Sequence, residues 1–155
     1  MTSNVVIEGA DDIMRKLRSV GVEMERAQEI ILRAAGDVIA RTAADNVRDA
    51  SATVADNIDV QKLPEQGVVI GVGPTKKAWF AHMIERGTRP HRIEATGSKR
   101  LRIQRSETVY YRRSVMHPGA KARPFLNPAA EAKRDDASRA AADKAEDVLR
   151  RAASK

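Results

Sequence analysis

The sequence predicts an α+β fold, and three observations point to it. Apolar residues recur at helical spacing through the first third of the chain, at strand spacing from 58 to 72, and at helical spacing again after 128. Turn-forming Gly, Pro and Asn mark each change of period. Aromatic residues make up only 3% of a 155-residue chain, so its one modest core falls to Ala, Val, Ile, Leu and Met. The expected architecture is two N-terminal helices, a small antiparallel sheet with a short helix, a protruding basic hairpin or arm, and a long C-terminal helix. A single domain spanning 1–155 is expected, with the arm at 89–117.

The elements follow in order. Asp11 or Asp12 is suited to cap a first helix with Ile13, Leu17 and Val20 on its apolar face, and Gly21 to end it. A longer helix is predicted from about Val22 to Val47, where Met24, Ala27, Ile31, Ala34 and Val38 share a face opposite a charged one. Ile58 and Val60 alternate with polar residues, Pro64 to Gly67 reads as a turn, and Val68, Ile70 and Val72 lie on one side of a second strand. Gly71 and Gly73 suggest a bend or a close backbone approach. In "KKAWFAHMIERG", Trp79, Met83 and Arg86 share one helical face and Phe80 and Ile84 another, with Gly87 suited to a left-handed cap. A second hairpin turns near Ser106 and Glu107, placing Val109, Tyr111 and Val115 on one side and Tyr110 and Arg112 on the other. Asn127 is suited to cap the last helix, with Pro128 in its first position.

That helix should run to about Ala152 behind a thin stripe of Ala130, Ala137, Ala141, Val148 and Ala152. Such small residues either admit another helix closely or mark a good helix former on the surface. Docking through the first turns, near Phe125 and Leu126, is the expectation.

The net charge of +7 is concentrated. Residues 86–123 hold eleven Lys and Arg against Glu94 and Glu107, a local +9, so the rest of the chain sums to −2. A localised positive patch suits an acidic partner such as nucleic acid, a membrane surface or another protein. The arginines 100, 102, 105, 112 and 113, with Tyr110 and Tyr111, fit a phosphate backbone. They equally fit a neighbouring subunit's acids, their stems covering an apolar strand face.

Catalytic patterns are missing. "GVGPTKK" lacks the spacing of a phosphate loop, and no serine sits in a nucleophile elbow. His82 and Glu85 make at most half a metal site, so no metal and no cofactor is expected. His91 and His117 flank the basic element. The chain has no cysteine, which excludes disulfides and thiolate sites and suits a reducing compartment. Neither a signal peptide nor an apolar run of membrane-spanning length is visible, so no membrane partner is expected.

Three segments stand in one order: "VVIGVG", "AWFAHMIERGTRPHRI" and "HPGAKARPFLNPAAEA". In this the chain resembles the gene-product-ten-like family of minor virion proteins from long-tailed lambdoid phages. The matching positions are Val72-Gly73, then Ala78 to Ala81 with Trp79, then Glu85-Arg86-Gly87-Thr88, then Pro124-Phe125-Leu126 with Pro128 and Ala129. His91-Arg92-Ile93 and His117-Pro118-Gly119 match members with a longer insertion. The Pro-x-x-Thr-Gly-x-Leu turn common in the family is not found in "DASATVADNIDV".

The resemblance implies a structural protein, not an enzyme. It would be a neck, tail-completion or tail-terminator subunit at the virion head–tail junction, assembled in the host bacterial cytoplasm. The implied partners are copies of itself in a hexameric ring, a head-completion or stopper protein, and the tail tube protein. Genome DNA would pass through the ring without specific binding. On this reading the arm residues Arg89, Arg92, Lys99, Arg100, Arg102, Arg105, Tyr110, Arg112 and Arg113 face a neighbouring subunit or the adjacent ring. The alternative is a small basic DNA-binding protein using the same hairpin.

Overall fold

The computed structural model describes residues 10–19, 24–63, 67–72 and 77–154. In chain order the elements are α1 (Ala10–Ser19), α2 (Met24–Arg48), α3 (Ala52–Ala55), β1 (Ile58–Leu63), β2 (Gly67–Val72), α4 (Ala81–Arg86), β3 (His91–Glu94), β4 (Leu101–Arg105), β5 (Thr108–Arg112), β6 (Ser114–His117), α5 (Leu126–Ala132) and α6 (Arg134–Ala153). This is the α+β composition expected, with small antiparallel sheets and a long last helix. The chain divides into two compact units, residues 1–81 with 124–155, and residues 82–123.

In the first unit α2 is the centre, packed by α6, α5, α3, β1 and β2. Its buried residues Ala27, Ile31, Ala35, Ile39, Ala43 and Val47 follow one another at intervals of four. A row at that spacing winds slowly round a helix of 3.6 residues per turn, so successive parts meet different neighbours. The straighter face read from the sequence is therefore only partly buried: Ala34 and Val38 are half-exposed. A second contact lies beside the row. Gly36 is buried in mid-helix, and a Cβ there would stand 2.7 Å from Cγ1 of Val60, which is itself 3% exposed. Glycine is what lets β1 cross α2 this closely.

β1 and β2 form an antiparallel hairpin in which Val60 faces Ile70 and Ile58 faces Val72. Its turn, and Gly73, lie outside the described residues. A Cβ at Gly71 would meet nothing within 4 Å, so no close backbone approach explains that glycine. α3 is a single turn, capped by Ser51, whose hydroxyl accepts from the Val54 amide at 3.3 Å.

Both expected caps are displaced. α1 is Ala10–Ser19, which puts Asp11 and Asp12 within the helix rather than at its cap. The helix after the Pro-Phe-Leu motif begins at Leu126, so Asn127 and Pro128 are its second and third residues. Proline is tolerated there because the first amides of a helix have no intrahelical acceptor. Nor does this helix run unbroken: Lys133 (φ −111°, ψ 13°) closes α5 and opens α6, its amide bonding Ala129 O at 3.0 Å and its carbonyl accepting from Ala137 N at 2.9 Å.

Of the two readings of the alanine stripe, close helix packing is the one the structure shows. Ala137, Ala141 and Ala145 are at most 1% exposed along α6, whose main neighbour is α2. Alanine lines both helices, so the backbones approach closely and bury one another with few methylenes. Docking through the first turns is real but is a second contact. Phe125 is 1% exposed, and its carbonyl accepts from the Asn46 side chain at 3.3 Å. Trp79 and Phe80 sit in the turn before α4, with ring centroids 6.0 Å apart edge to face, and Trp79 is 63% exposed.

The second unit opens with α4 and continues as a two-stranded antiparallel ribbon. Thr88 bridges Ala120, β3 pairs β6, and β4 pairs β5 across a turn at Ser106 and Glu107, as the sequence suggested. Ser106 there has φ 52°. Val115 belongs to β6, beyond a bend at Arg113, and so is not part of the β5 strand.

Candidate interaction surface

The ribbon is closed at its base by backbone. The amides and carbonyls of Thr88 and Ala120 bond each other at 2.9 and 3.1 Å, and the Thr88 hydroxyl also accepts from the Ala120 amide at 2.9 Å. The Arg123 amide donates to Ile84 O at 2.8 Å, tying the outgoing strand to α4. Two glycines make this crossing possible. Gly87 (φ +70°) and Gly119 (φ +88°) are both left-handed. A Cβ on Gly87 would lie 2.5 Å from Ala120 O, and one on Gly119 would lie 2.9 Å from the Arg89 carbonyl carbon and collide with Thr88 O. The Glu-Arg-Gly-Thr and His-Pro-Gly segments, distant in sequence, are thus two halves of one junction.

His91 and His117 are directly opposite in the ladder, with ring centroids 5.1 Å apart. His91 Nδ1 lies 2.9 Å from Arg89 O, to which it donates, and His117 Nδ1 accepts from the Gly119 amide at 3.1 Å. The sequence placed these histidines on either side of the basic element without pairing them. The signal was there: "HRIE" and "SVMH" are reversed partners with a histidine at each outer end.

Beyond the base, β3 and β6 give way to β4 and β5 through an unequal joint. Residues 95–100 on one strand stand against Arg113 alone on the other, and Ala95 N bonds Arg113 O at 2.9 Å. Gly97 (φ +64°) turns this loop, which carries Lys99 and Arg100. In β4–β5, Ile103 faces Tyr110, Leu101 faces Arg112, and Arg102 faces Tyr111. Cations, tyrosines and aliphatic residues are therefore interleaved on both faces.

None of residues 82–123 is buried. Arg89, Arg92, Lys99, Arg100, Arg102, Arg105, Tyr110, Arg112 and Arg113 are all exposed. Four of the chain's exposed large hydrophobics are here too: Ile93, Tyr110, Tyr111 and Met116. Arg92 is held by Glu94 at 2.9 Å and donates to Ser114 at 3.1 Å. Of the scaffold residues, Phe125 is buried, Leu126 is half-buried, and Pro118, Pro124 and Pro128 are exposed. His82 is exposed and Glu85 half-buried on α4. Among the described residues no group of three His, Asp or Glu is gathered as a metal would need. No helix among them is long and apolar enough to cross a membrane.

A compact α+β unit is continued along the chain by an exposed, cationic β-ribbon. The family model described as "Bacteriophage HK97-gp10, putative tail-component" matches residues 11–87, and the chain belongs to this gene-product-ten-like family of phage tail components. No curated protein and no solved structure matches the chain. The matched region takes in α1 to α4 and ends on Gly87, so it stops where the ribbon begins.

Proposed function

We propose that this chain is a ring-forming subunit of the phage head–tail junction, a tail-terminator or tail-completion (neck) protein. It would cap the tail tube and join it to the head-completion proteins. The observation that supports this is membership of a family of tail components. A heterologous ring needs two unlike surfaces on each subunit. The first unit with its exposed Trp79 and Val69, and the ribbon with no buried side chain, are unlike in this sense. A ribbon of two strands is marginal by itself and gains most from being covered by a neighbour. The proposed neighbours are copies of the chain in a hexameric ring, a stopper protein on the head side and the tube protein on the tail side.

Deleting the gene and imaging the particles by electron microscopy tests this. Filled heads beside separate tails are expected for a junction protein, and tails of irregular excess length for a terminator. Normal joined particles would refute the proposal.

A further inference from the structure

We propose that the ribbon of the second unit binds the phosphate backbone of duplex DNA, without sequence preference. The first ground is where the charge lies. Residues 82–123 carry eleven Lys and Arg against three Glu, a net +8, which leaves −1 for the rest of the chain. The second is how little of that charge is answered. Arg92 has Glu94. Among the described residues no carboxylate pairs with Arg100, Arg102, Arg105, Arg112 or Arg113, all exposed.

A second copy is a poor source of the missing negative charge. Outside the ribbon its 18 Asp and Glu are nearly balanced by 17 Lys and Arg, and some of those carboxylates are paired, as in Asp56–Arg48 at 3.3 Å, Glu29–Lys62 at 3.1 Å and Asp136–Lys133 at 2.8 Å. Duplex DNA carries one negative charge per roughly 1.7 Å and is nowhere internally neutralised by fixed cations. The third ground is shape. A two-stranded ribbon is an element the major groove admits. Here Arg102 sits directly across from Tyr111, which is 58% exposed, so a phosphate contact and an aromatic face for the sugar or base lie side by side. Gln104 is the one amide side chain in residues 82–123, which contain no Asn, so adenine readout has little to work with, while the exposed arginines suit phosphate contacts. The proposal rests on the virion reading only in taking the DNA to be the genome.

The test uses the full-length protein and a fluorescein-labelled 24-base-pair duplex, followed by anisotropy between 50 and 200 mM NaCl. Micromolar binding is expected, with affinity falling about 100-fold over that range if roughly four phosphates are contacted. The R102Q/R105Q/R112Q variant should flatten the log–log salt slope by close to 3. A control with the same charge change on the first unit, R26Q/R134Q/R150Q, should keep the wild-type slope. Should the ribbon variant melt early, K99Q/R100Q in the loop between strands replaces it, with an expected loss of slope near 2. Absence of salt-dependent binding overturns the proposal, as does equal weakening by the control. So does a ribbon variant that keeps the wild-type DNA affinity and salt slope, whatever it does to self-association in sedimentation. Failure of DNA binding alongside uncoupled heads and tails in the deletion particles would remove this inference and leave the junction reading standing.

Discussion

Replacing Gly36 by alanine sets two effects of similar size against each other. Alanine is favoured over glycine in a helix interior by about 1 kcal/mol. Its methyl, however, would stand 2.7 Å from one methyl of Val60 and 3.2 Å from the other. Normal carbon–carbon contact is nearer 3.5–4.0 Å. Val60 is buried and β-branched, so it has few rotamers to move to, and β1 would have to lift by close to 1 Å. Overpacking of this kind costs about 1–3 kcal/mol. Gly36→Ala should therefore be destabilising by roughly 1 kcal/mol net, or about 2–4 °C in Tm for a chain of this length. In a Val60→Ala background the clash is gone, and the same substitution should become stabilising by about 0.5–1 kcal/mol. Urea denaturation of the four proteins, followed by circular dichroism, measures the coupling. A coupling below about 0.5 kcal/mol would mean the two sites are independent, and the close crossing of β1 over α2 would be refuted.

Two further outcomes are expected. Gly119→Ala forces a Cβ into the Thr88 and Arg89 backbone at a positive φ, so it should abolish the amide protection of Thr88 and Ala120 in hydrogen exchange while α2 and α6 stay protected; unchanged protection at the bridge would contradict the two-glycine junction. At the α5–α6 break, the Lys133 hydrogen bond, helped by the charges of Lys133 and Arg139, holds the Asp136 carboxyl below its ordinary range. A lowered folded-state pKa stabilises above the ordinary carboxylate range, and the effect is lost as pH falls through the lowered value. Asp136→Asn should thus lower Tm slightly at pH 7 and converge with wild type as pH falls below the ordinary carboxylate range; a gap that widens in acid would reverse the assignment.

Much of this fold was legible because period and turn chemistry agree. The alternation of Ile58 and Val60, the turn at Ser106, and the left-handed Gly87 each follow from one local rule and stand where the sequence put them. What failed depended on neighbours far along the chain. The α2 stripe drifts because α2 has partners on several sides, and a single-face reading has no term for that. The alanines of α6 left two readings open, because their burial depends on α2, far away in sequence, lying against them. Asn127 and Pro128 were read as cap and first residue by a local rule, whereas burial of Phe125 draws the helix start back to Leu126. On the candidate surface, composition exposed the basic residues, but not that the strands around them would bury nothing.

The three sheets of this structure have two strands each, so every strand of the described residues has one side without a ladder partner. Such edges are templates for pairing with another chain, and proteins commonly guard them with charge. The arginines of β4 and β5 act as that guard: two ribbons brought edge to edge would set like charges opposite one another. The same cations thus disfavour edge-to-edge pairing of two copies of the ribbon. Salt weakens that guard, because these charges are exposed and screened over roughly 8–10 Å at physiological ionic strength.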